Sequence, residues 1–363
     1  MTKILKVDPV TPDISVVREA ASIIRNGGTV IFPTETVYGL GANALDEVAT
    51  RKIFKAKGRP SDNPLIVHIS DLDQLYDVCS NIPVIMERIA KKFWPGPLSV
   101  LLPKSERVAD SVTAGLPTVA VRMPAHPVAL SLIRESHVPV AAPSANLSTR
   151  PSPTSAKHAI QDLMGRVDAI IDGGETFFGI ESTIVMLSEK GATVLRPGPY
   201  SPDELASAFG EVDVSVFAKG KPSDEALVPG MKYRHYAPLK PLLMVPDKET
   251  LVLVSEELFG AGLEHAVLCT SDVAGRVKGK SIILGQGEDL YEVARRLFSA
   301  MREFDESGLP FALVHTFPER GIGLAIMNRL KKACGGTVVA RGSEAIRLLT
   351  KASRLAAESM HSM

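Results

Sequence analysis

Cysteine is scarce in this chain: Cys79, Cys269 and Cys334 are the three present in 363 residues. They lie far apart and form no Cys-x-x-Cys pair, which speaks against a disulfide framework or a structural zinc and predicts a reducing, cytoplasmic setting. Net charge is absent as well. Forty-one basic residues are balanced by forty-one acidic ones, so no global field draws the protein onto nucleic acid or an anionic membrane, and any anion site must be local. No apolar run approaches the ~20 residues of a membrane span, and the first residues are too short in their apolar part for a signal peptide. Familiar catalytic signatures are missing too. There is no Gly-x-Ser-x-Gly, no Gly-x-x-x-x-Gly-Lys-Ser/Thr loop and no His-Glu-x-x-His, which argues against a serine-elbow hydrolase, a P-loop NTPase and a catalytic zinc in turn.

What is present is an alternation of helix and strand. The length predicts two domains, and a hydrophobic content of 45% is ample for two cores. Val16, Val17, Ala20, Ile23 and Ile24 recur at helical spacing, closed by Asn26-Gly27-Gly28. A strand over 29–32 follows, then a hydroxyl-rich loop, Pro33-Thr34-Glu35-Thr36-Val37-Tyr38-Gly39-Leu40-Gly41. That loop reads either as an ordinary β-to-α turn or as backbone that a ligand approaches closely. Helices are predicted over 49–56, 84–93 and 202–209, and short strands over 65–69, 98–102, 118–124, 138–142, 169–171, 183–187 and 193–195. Trp94 reads as a packed core edge. Arg122 stands among apolar residues in its strand, so it must be paired or face a cleft. Polar groups recur at the strand ends, where ligands of open α/β sheets bind. Mixed α/β is the class this pattern defines.

From about Gly210 the amphipathic period is lost, and 210–240 reads as a linker between a domain over 1–209 and another over 241–363. The cluster Tyr233, Arg234, His235 and Tyr236 exceeds what a passive tether needs, although an ordered strap accounts for it equally well. In the second domain strands are predicted over 251–254, 266–269, 281–284 and 311–315. Leu290, Val293, Ala294, Leu297, Phe298, Met301 and Phe304 form the buried stripe of one long helix. Gly321-Ile322-Gly323 is a poor dinucleotide fingerprint, because Pro318-Glu319-Arg320 occupies the place of the tight turn.

The densest polar stretch runs from Lys55-Ala56-Lys57-Gly58-Arg59-Pro60 through Asn63-Pro64 to His68. Pro60 and Pro64 disfavour helix in the residues before them, so Lys55, Lys57 and Arg59 are expected to fan out from a loop toward a polyanion, with His68 on the next strand. A helix C-terminus whose basic residues complement the dipole is the plainer reading. Together Lys57, Arg59, Arg122, Arg196 and His68, with the hydroxyls of Thr36, Ser144 and Ser182, form a constellation that binds and neutralises charge. Phosphoryl and nucleotidyl transfers run on such effects with a metal on the phosphates.

Five motifs in order carry a resemblance: Pro33-Thr34-Glu35-Thr36-Val37-Tyr38-Gly39-Leu40; Lys57-Gly58-Arg59-Pro60 with Asn63-Pro64-Leu65; Pro143-Ser144-Ala145-Asn146; Ser182-Thr183; and Arg196-Pro197-Gly198. They resemble the YrdC-like threonylcarbamoyl-AMP synthase family, with Lys-x-Arg followed by Ser-x-Asn as its signature, over roughly the first two hundred residues. His235-Tyr236-Ala237-Pro238 and the second domain resemble that family's long form. The resemblance implies a twisted open mixed sheet with helices, followed by a smaller Rossmann-like α/β domain. It further implies that L-threonine, bicarbonate and ATP give L-threonylcarbamoyladenylate and diphosphate, which a downstream transferase complex uses to modify tRNA. Arg59, Asn63, Thr118, Ser144, Ser152, Arg196 and Tyr236 would surround ATP, with Lys57 and Arg59 facing its phosphates. Thr36, His68, Arg122, Ala142 and Ser182 would hold threonine. Mg²⁺ would ride on the diphosphate with few or no protein ligands, and the linker would exclude water from an unstable carbamate. Two other readings stay open. One is an RNA-binding module, and a weak tRNA contact belongs with it. The other is a carbamoyl-phosphate-using carbamoyltransferase, since YrdC-like modules also occur in hydrogenase-maturation enzymes.

Overall fold

The structure is a computed structural model that describes residues 1–219, 227–229, 236–336, 338–340 and 342. Tyr233, Arg234 and His235 of the aromatic and basic cluster lie outside the described residues. In chain order the first part comprises β1 (Lys3–Lys6), α1 (Ile14–Arg25), β2 (Val30–Phe32), β3 (Gly39–Asn43), α2 (Glu47–Lys57) and β4 (Ile66–His68). Next come α3 (Leu75–Val78), α4 (Ile85–Phe93), β5 (Leu98–Pro103), α5 (Asp110–Thr113), β6 (Thr118–Arg122), α6 (Pro127–Ser136) and β7 (Val140–Ala141). Then follow α7 (Ala156–Leu163), β8 (Ala169–Asp172), β9 (Thr183–Ser188), β10 (Gly191–Arg196), α8 (Pro202–Phe209) and β11 (Glu211–Val214).

These strands form one mixed sheet in the order β1-β8-β2-β3-β7-β4-β6-β5-β9-β10-β11. Local chemistry sets the helix ends. The Asp46 side chain accepts from the Val48 and Ala49 amides at the start of α2, and Gly58 ends that helix at a φ of 60°, a left-handed cap that glycine adopts without steric cost. Ser201 and Glu204 make a reciprocal capping box for α8. Trp94 is buried in the larger core and donates its indole N–H to the Leu98 carbonyl.

Three expectations about this half are corrected. The glycine-rich end of the loop after β2 is not a turn into a helix: Gly39–Asn43 is strand β3, antiparallel to β2. Lys55 and Lys57 do not leave a loop, because α2 continues through Lys57. The stretch from Gly210 begins as an edge strand, β11, parallel to β10, so the large sheet extends past the point where a linker was expected.

The second part comprises β12 (Leu242–Val245), α9 (Lys248–Gly260), β13 (Ala266–Thr270), α10 (Ser271–Ala274), β14 (Lys280–Gly285), α11 (Leu290–Glu306), β15 (Ala312–His315) and α12 (Gly323–Ala333). Its all-parallel sheet runs β12-β15-β13-β14, as expected of a Rossmann-like unit. The strand expected over 251–254 is instead part of α9, whose buried residues Leu251, Val254, Ser255 and Leu258 fall at helical spacing. The expected long helix is α11. Val37 and Ile180 of the first domain and Tyr236 of the connection pack into the same apolar cluster as Leu297, Phe298 and Met301, so the two domains share part of a core.

Candidate active site

One cleft lies across the middle of the large sheet, lined by residues of β3, β4, β6 and β10 and of the loops that follow β2, α2 and β7. Strand register assembles it. Parallel pairing of β4 with β6 sets His68 beside Arg122, and antiparallel pairing of β9 with β10 sets Ile184 beside Arg196, bringing Ser182 to the Arg196 guanidinium. Gly198 allows the next close approach, since a Cβ there would lie 2.2 Å from the Thr183 nitrogen.

Each expected residue can now be placed. Thr36, Lys57, Arg59, His68, Arg122, Ala142, Ser144, Ser182, Arg196 and Tyr236 all line the cleft. Asn63, Thr118 and Ser152 do not. Asn63 is buried in the turn behind Arg59, whose Nε donates to the Asn63 carbonyl at 3.1 Å. Thr118 sits half-buried at the opposite end of β6 from Arg122. Ser152 is fully buried and donates to Glu181 Oε1 at 2.5 Å, so it supports the wall from behind.

The two ends of the cleft differ in chemistry. At one end Arg122 Nη1 donates to Thr36 Oγ1 at 3.0 Å, Nε donates to the Gly96 carbonyl at 3.3 Å, and Nη2 stands 2.6 Å from Glu35 Oε1. The carboxylate that a buried arginine in a strand requires is thus supplied by the chain itself. Burial, then the Arg122 guanidinium, push the His68 imidazole down to about 3, so it is a neutral hydrogen-bonding group. At the other end Arg196 donates from Nε and Nη2 to the Ser182 carbonyl at 3.1 and 3.0 Å, and from Nη2 to Ser182 Oγ at 2.9 Å. Burial lowers the Arg196 guanidinium to about 10, where it is still charged at neutral pH.

Lys57 is buried, and its ammonium donates to the carbonyls of Ser144 and Asn146, both at 2.5 Å. Burial, reinforced by Arg59, pulls its pKa well below the ordinary lysine value. Its side-chain nitrogen organises the Ser-Ala-Asn loop as well as lining the cleft. Tyr236 holds a φ of 66°, a conformation that a bulky residue keeps only where its surroundings fix it. Its ring stacks on Phe298 at 5.3 Å, and the Arg329 guanidinium carbon lies 5.4 Å from the ring centroid.

Sequence reasoning did not assign roles to Glu35, Glu181 or Arg329. Glu35 and Glu181 are each next to an expected threonine contact, which is a signal of a kind. Nothing near Arg329 marks it.

Such a sheet, with guanidiniums, hydroxyls and a neutral imidazole converging on one cleft beside a second α/β domain, defines a two-domain α/β protein with a cation-lined cleft. Residues 22–198 match a family model described as "Telomere recombination", and residues 200–335 match one described as "Threonylcarbamoyl-AMP synthase, C-terminal domain". The chain belongs to the YrdC-like threonylcarbamoyl-AMP synthase family in its two-domain form. The threonylcarbamoyl-AMP synthase of Pyrococcus abyssi is 48% identical over 89% of this chain and 95% of its own length. That of Bacillus subtilis is 45% identical over 89% and 94%. A crystal structure of the Pyrococcus abyssi protein complexed with L-threonine superposes with a TM-score of 0.87 at 46% identity, covering 93% of this chain and 99% of the other.

Proposed function

We propose that this protein is a threonylcarbamoyl-AMP synthase, converting L-threonine, bicarbonate and ATP to L-threonylcarbamoyladenylate and diphosphate. The observation that carries the reading is the convergence of Arg59, Arg122 and Arg196 on one cleft. In the proposed pose, Arg122, Thr36, Ser182 and His68 hold threonine. Arg122 shares its charge between Glu35 and the substrate carboxylate. The threonine amine attacks bicarbonate, forming the carbamate with loss of water. A carbamate oxygen then attacks the α-phosphorus, the bond to the β-phosphate oxygen breaks, and diphosphate leaves. The protein forms no covalent bond in this sequence, so its work is positioning and charge neutralisation by Arg59 and Arg196. This is nucleotidyl transfer.

The carboxylate that lines the cleft, Glu181, is paired with Arg329, and Glu35, buried beside the lining, is paired with Arg122. That donor set fits Mg²⁺ carried on the phosphates and water, where it would offset phosphate charge. Tyr236 at the cleft supports a role for the linker in keeping water from the carbamate, and deletion of 210–238 without loss of product would end that idea. The product's mixed anhydride is an activated acyl donor, consumed by a transferase acting on tRNA. A cytoplasmic setting suits the three cysteines, which are free thiols. Among the described residues no helix is long and apolar enough to cross a membrane.

The deciding assay is diphosphate release from ATP with threonine, bicarbonate, both or neither. Release that requires both is expected; release indifferent to threonine overturns the assignment. Carbamoyl phosphate in place of bicarbonate, and a salt titration of tRNA binding, test the two rival readings.

A further inference from the structure

Helix α12 belongs to the second domain, yet the Arg329 side chain it carries is fully buried against the first. Its Nε donates to Glu181 Oε2 at 3.0 Å, Nη1 to the Pro197 carbonyl at 2.6 Å and to Asn328 Oδ1 at 3.2 Å, and Nη2 to the Glu181 carbonyl at 3.4 Å. The guanidinium also faces the Tyr236 ring. Two of these partners, Glu181 and Tyr236, line the cleft, and a third adjoins a lining residue. The second oxygen of Glu181 accepts from Ser152; Pro197 follows Arg196; Tyr236 lines the opening. One planar fork therefore ties together the start of β9, the end of β10 and the linker, which lysine's single point charge could not do in the same way. The next residue back extends the grip, since Asn328 Nδ2 donates to the Ala218 carbonyl at 2.9 Å.

Glu181 responds to this arrangement. Burial opposes its ionisation, but Arg329, Arg196 and the Ser152 hydroxyl outweigh burial and hold its pKa below the ordinary carboxylate value. Docking of the second domain is fixed at the same place by shape, because Gly179, at a φ of 68°, runs so close to α11 that a Cβ would lie 2.4 Å from the Arg295 carbonyl oxygen.

We propose that Arg329 is a positioning residue for nucleotide binding: through Glu181, Pro197 and Tyr236, the second domain sets the geometry of Arg196 and Tyr236, the cleft groups on which ATP is held. The inference rests on the reading that ATP occupies this end of the cleft. It predicts that the second domain is part of the active site, acting through a residue that touches no substrate.

The test uses the full chain with Arg329→Met, Arg329→Lys and Glu181→Gln. Arg329→Met is expected to raise the KM for ATP by about tenfold or more, the scale of a lost buried charge-assisted contact, while the KM for threonine stays within about twofold. Arg329→Lys recovers part of the loss by restoring charge without the fork. In Arg329→Met the freed Glu181 takes up a proton at higher pH than before, so ATP binding acquires a pH dependence absent from the wild type; Glu181→Gln combined with Arg329→Met abolishes it. A brace with a structural role alone would lower the melting temperature and the active fraction and leave both KM values and the pH profile in place, which overturns the proposal, as does equal weakening of both substrates. If Arg329→Met fails to fold, Glu181→Gln, which keeps the side-chain volume, must by itself show the ATP-selective rise, and its absence counts against the idea. Wild-type protein that releases no diphosphate would refute the underlying reading instead, whatever the variants do.

Discussion

Glu35 Oε1 stands 2.6 Å from Arg122 Nη2, both side chains being buried and Arg122 lining the cleft. The pair explains how an arginine survives in the middle of a sheet, and in the proposed pose threonine meets a guanidinium already in use. Removing one member of such a pair leaves a buried charge without a partner, which costs about 3–5 kcal/mol. Arg122→Ala is therefore expected to lose threonine-dependent diphosphate release and stability together. Arg122→Met with Glu35→Gln should regain most of the stability and none of the threonine dependence. Urea denaturation alongside the diphosphate assay checks this; a double variant no more stable than Arg122→Ala would show that the pair is not the source of the cost.

Lys57 gives a second expectation. Its ammonium satisfies two carbonyls of the Ser144–Asn146 turn, and a buried carbonyl left without a donor costs roughly 1–3 kcal/mol. Lys57→Met should destabilise the protein by about 2–5 kcal/mol and raise the KM for ATP through the displaced turn. Thermal unfolding and ATP kinetics measure the two effects. An active variant of wild-type stability would refute the anchoring role.

Arg302 bridges the domains elsewhere, donating to Asp162 Oδ2 at 2.7 Å and to the Pro151 carbonyl at 2.6 Å from full burial. Arg302→Ala strands the Asp162 carboxylate beside Arg150 alone, with an expected loss of about 3–5 kcal/mol. Calorimetry should then register a lower and broader transition, as the shared core of Val37, Ile180 and Leu297 loses its polar clamp. An unchanged transition would mean that apolar packing alone docks the domains.

His68 supplies a pH dependence. Its folded value of about 3 lies below its ordinary value of 6.5, so between those limits the unfolded chain binds a proton that the folded protein refuses. The stability due to its neutral burial is complete above 6.5 and is lost as pH falls, by roughly 1.4 kcal/mol per pH unit. The stability difference between wild type and His68→Gln should therefore shrink from pH 6 to pH 4. A difference that stays constant over that range would rule out a buried neutral imidazole.

Arg59→Ala and Arg122→Ala should separate the two substrates. Arg59 braces the Asn63-Pro64 turn and lines the cleft, so its loss is expected to fall chiefly on the KM for ATP, and that of Arg122 on the KM for threonine. With a charge-assisted contact at stake, each shift should be on the order of tenfold or more. Identical shifts for both variants would contradict a cleft with two chemically distinct ends.

The sequence by itself determined whatever is decided within a few residues. Asn26-Gly27-Gly28 closes α1, and the stripe from Leu290 to Phe304 writes out α11, because a cap or a helical face is satisfied inside one or two turns. The five motifs likewise identify most of the cleft, and ten of the thirteen expected site residues line it. Short apolar runs were less legible: Leu251-Val252-Leu253-Val254 has strand-like composition, and only its burial at helical spacing reveals α9. Glycines hid β3, and Glu211 and Asp213 on the exposed side of an edge hid β11. Tertiary structure alone decided the register that sets His68 beside Arg122, the Glu35 carboxylate as the standing partner of that arginine, and the reach of Arg329 across 148 residues to Glu181. Contacts of that kind have no local signature, because the free energy that selects them comes from burying charge against charge after the sheet and the second domain have closed.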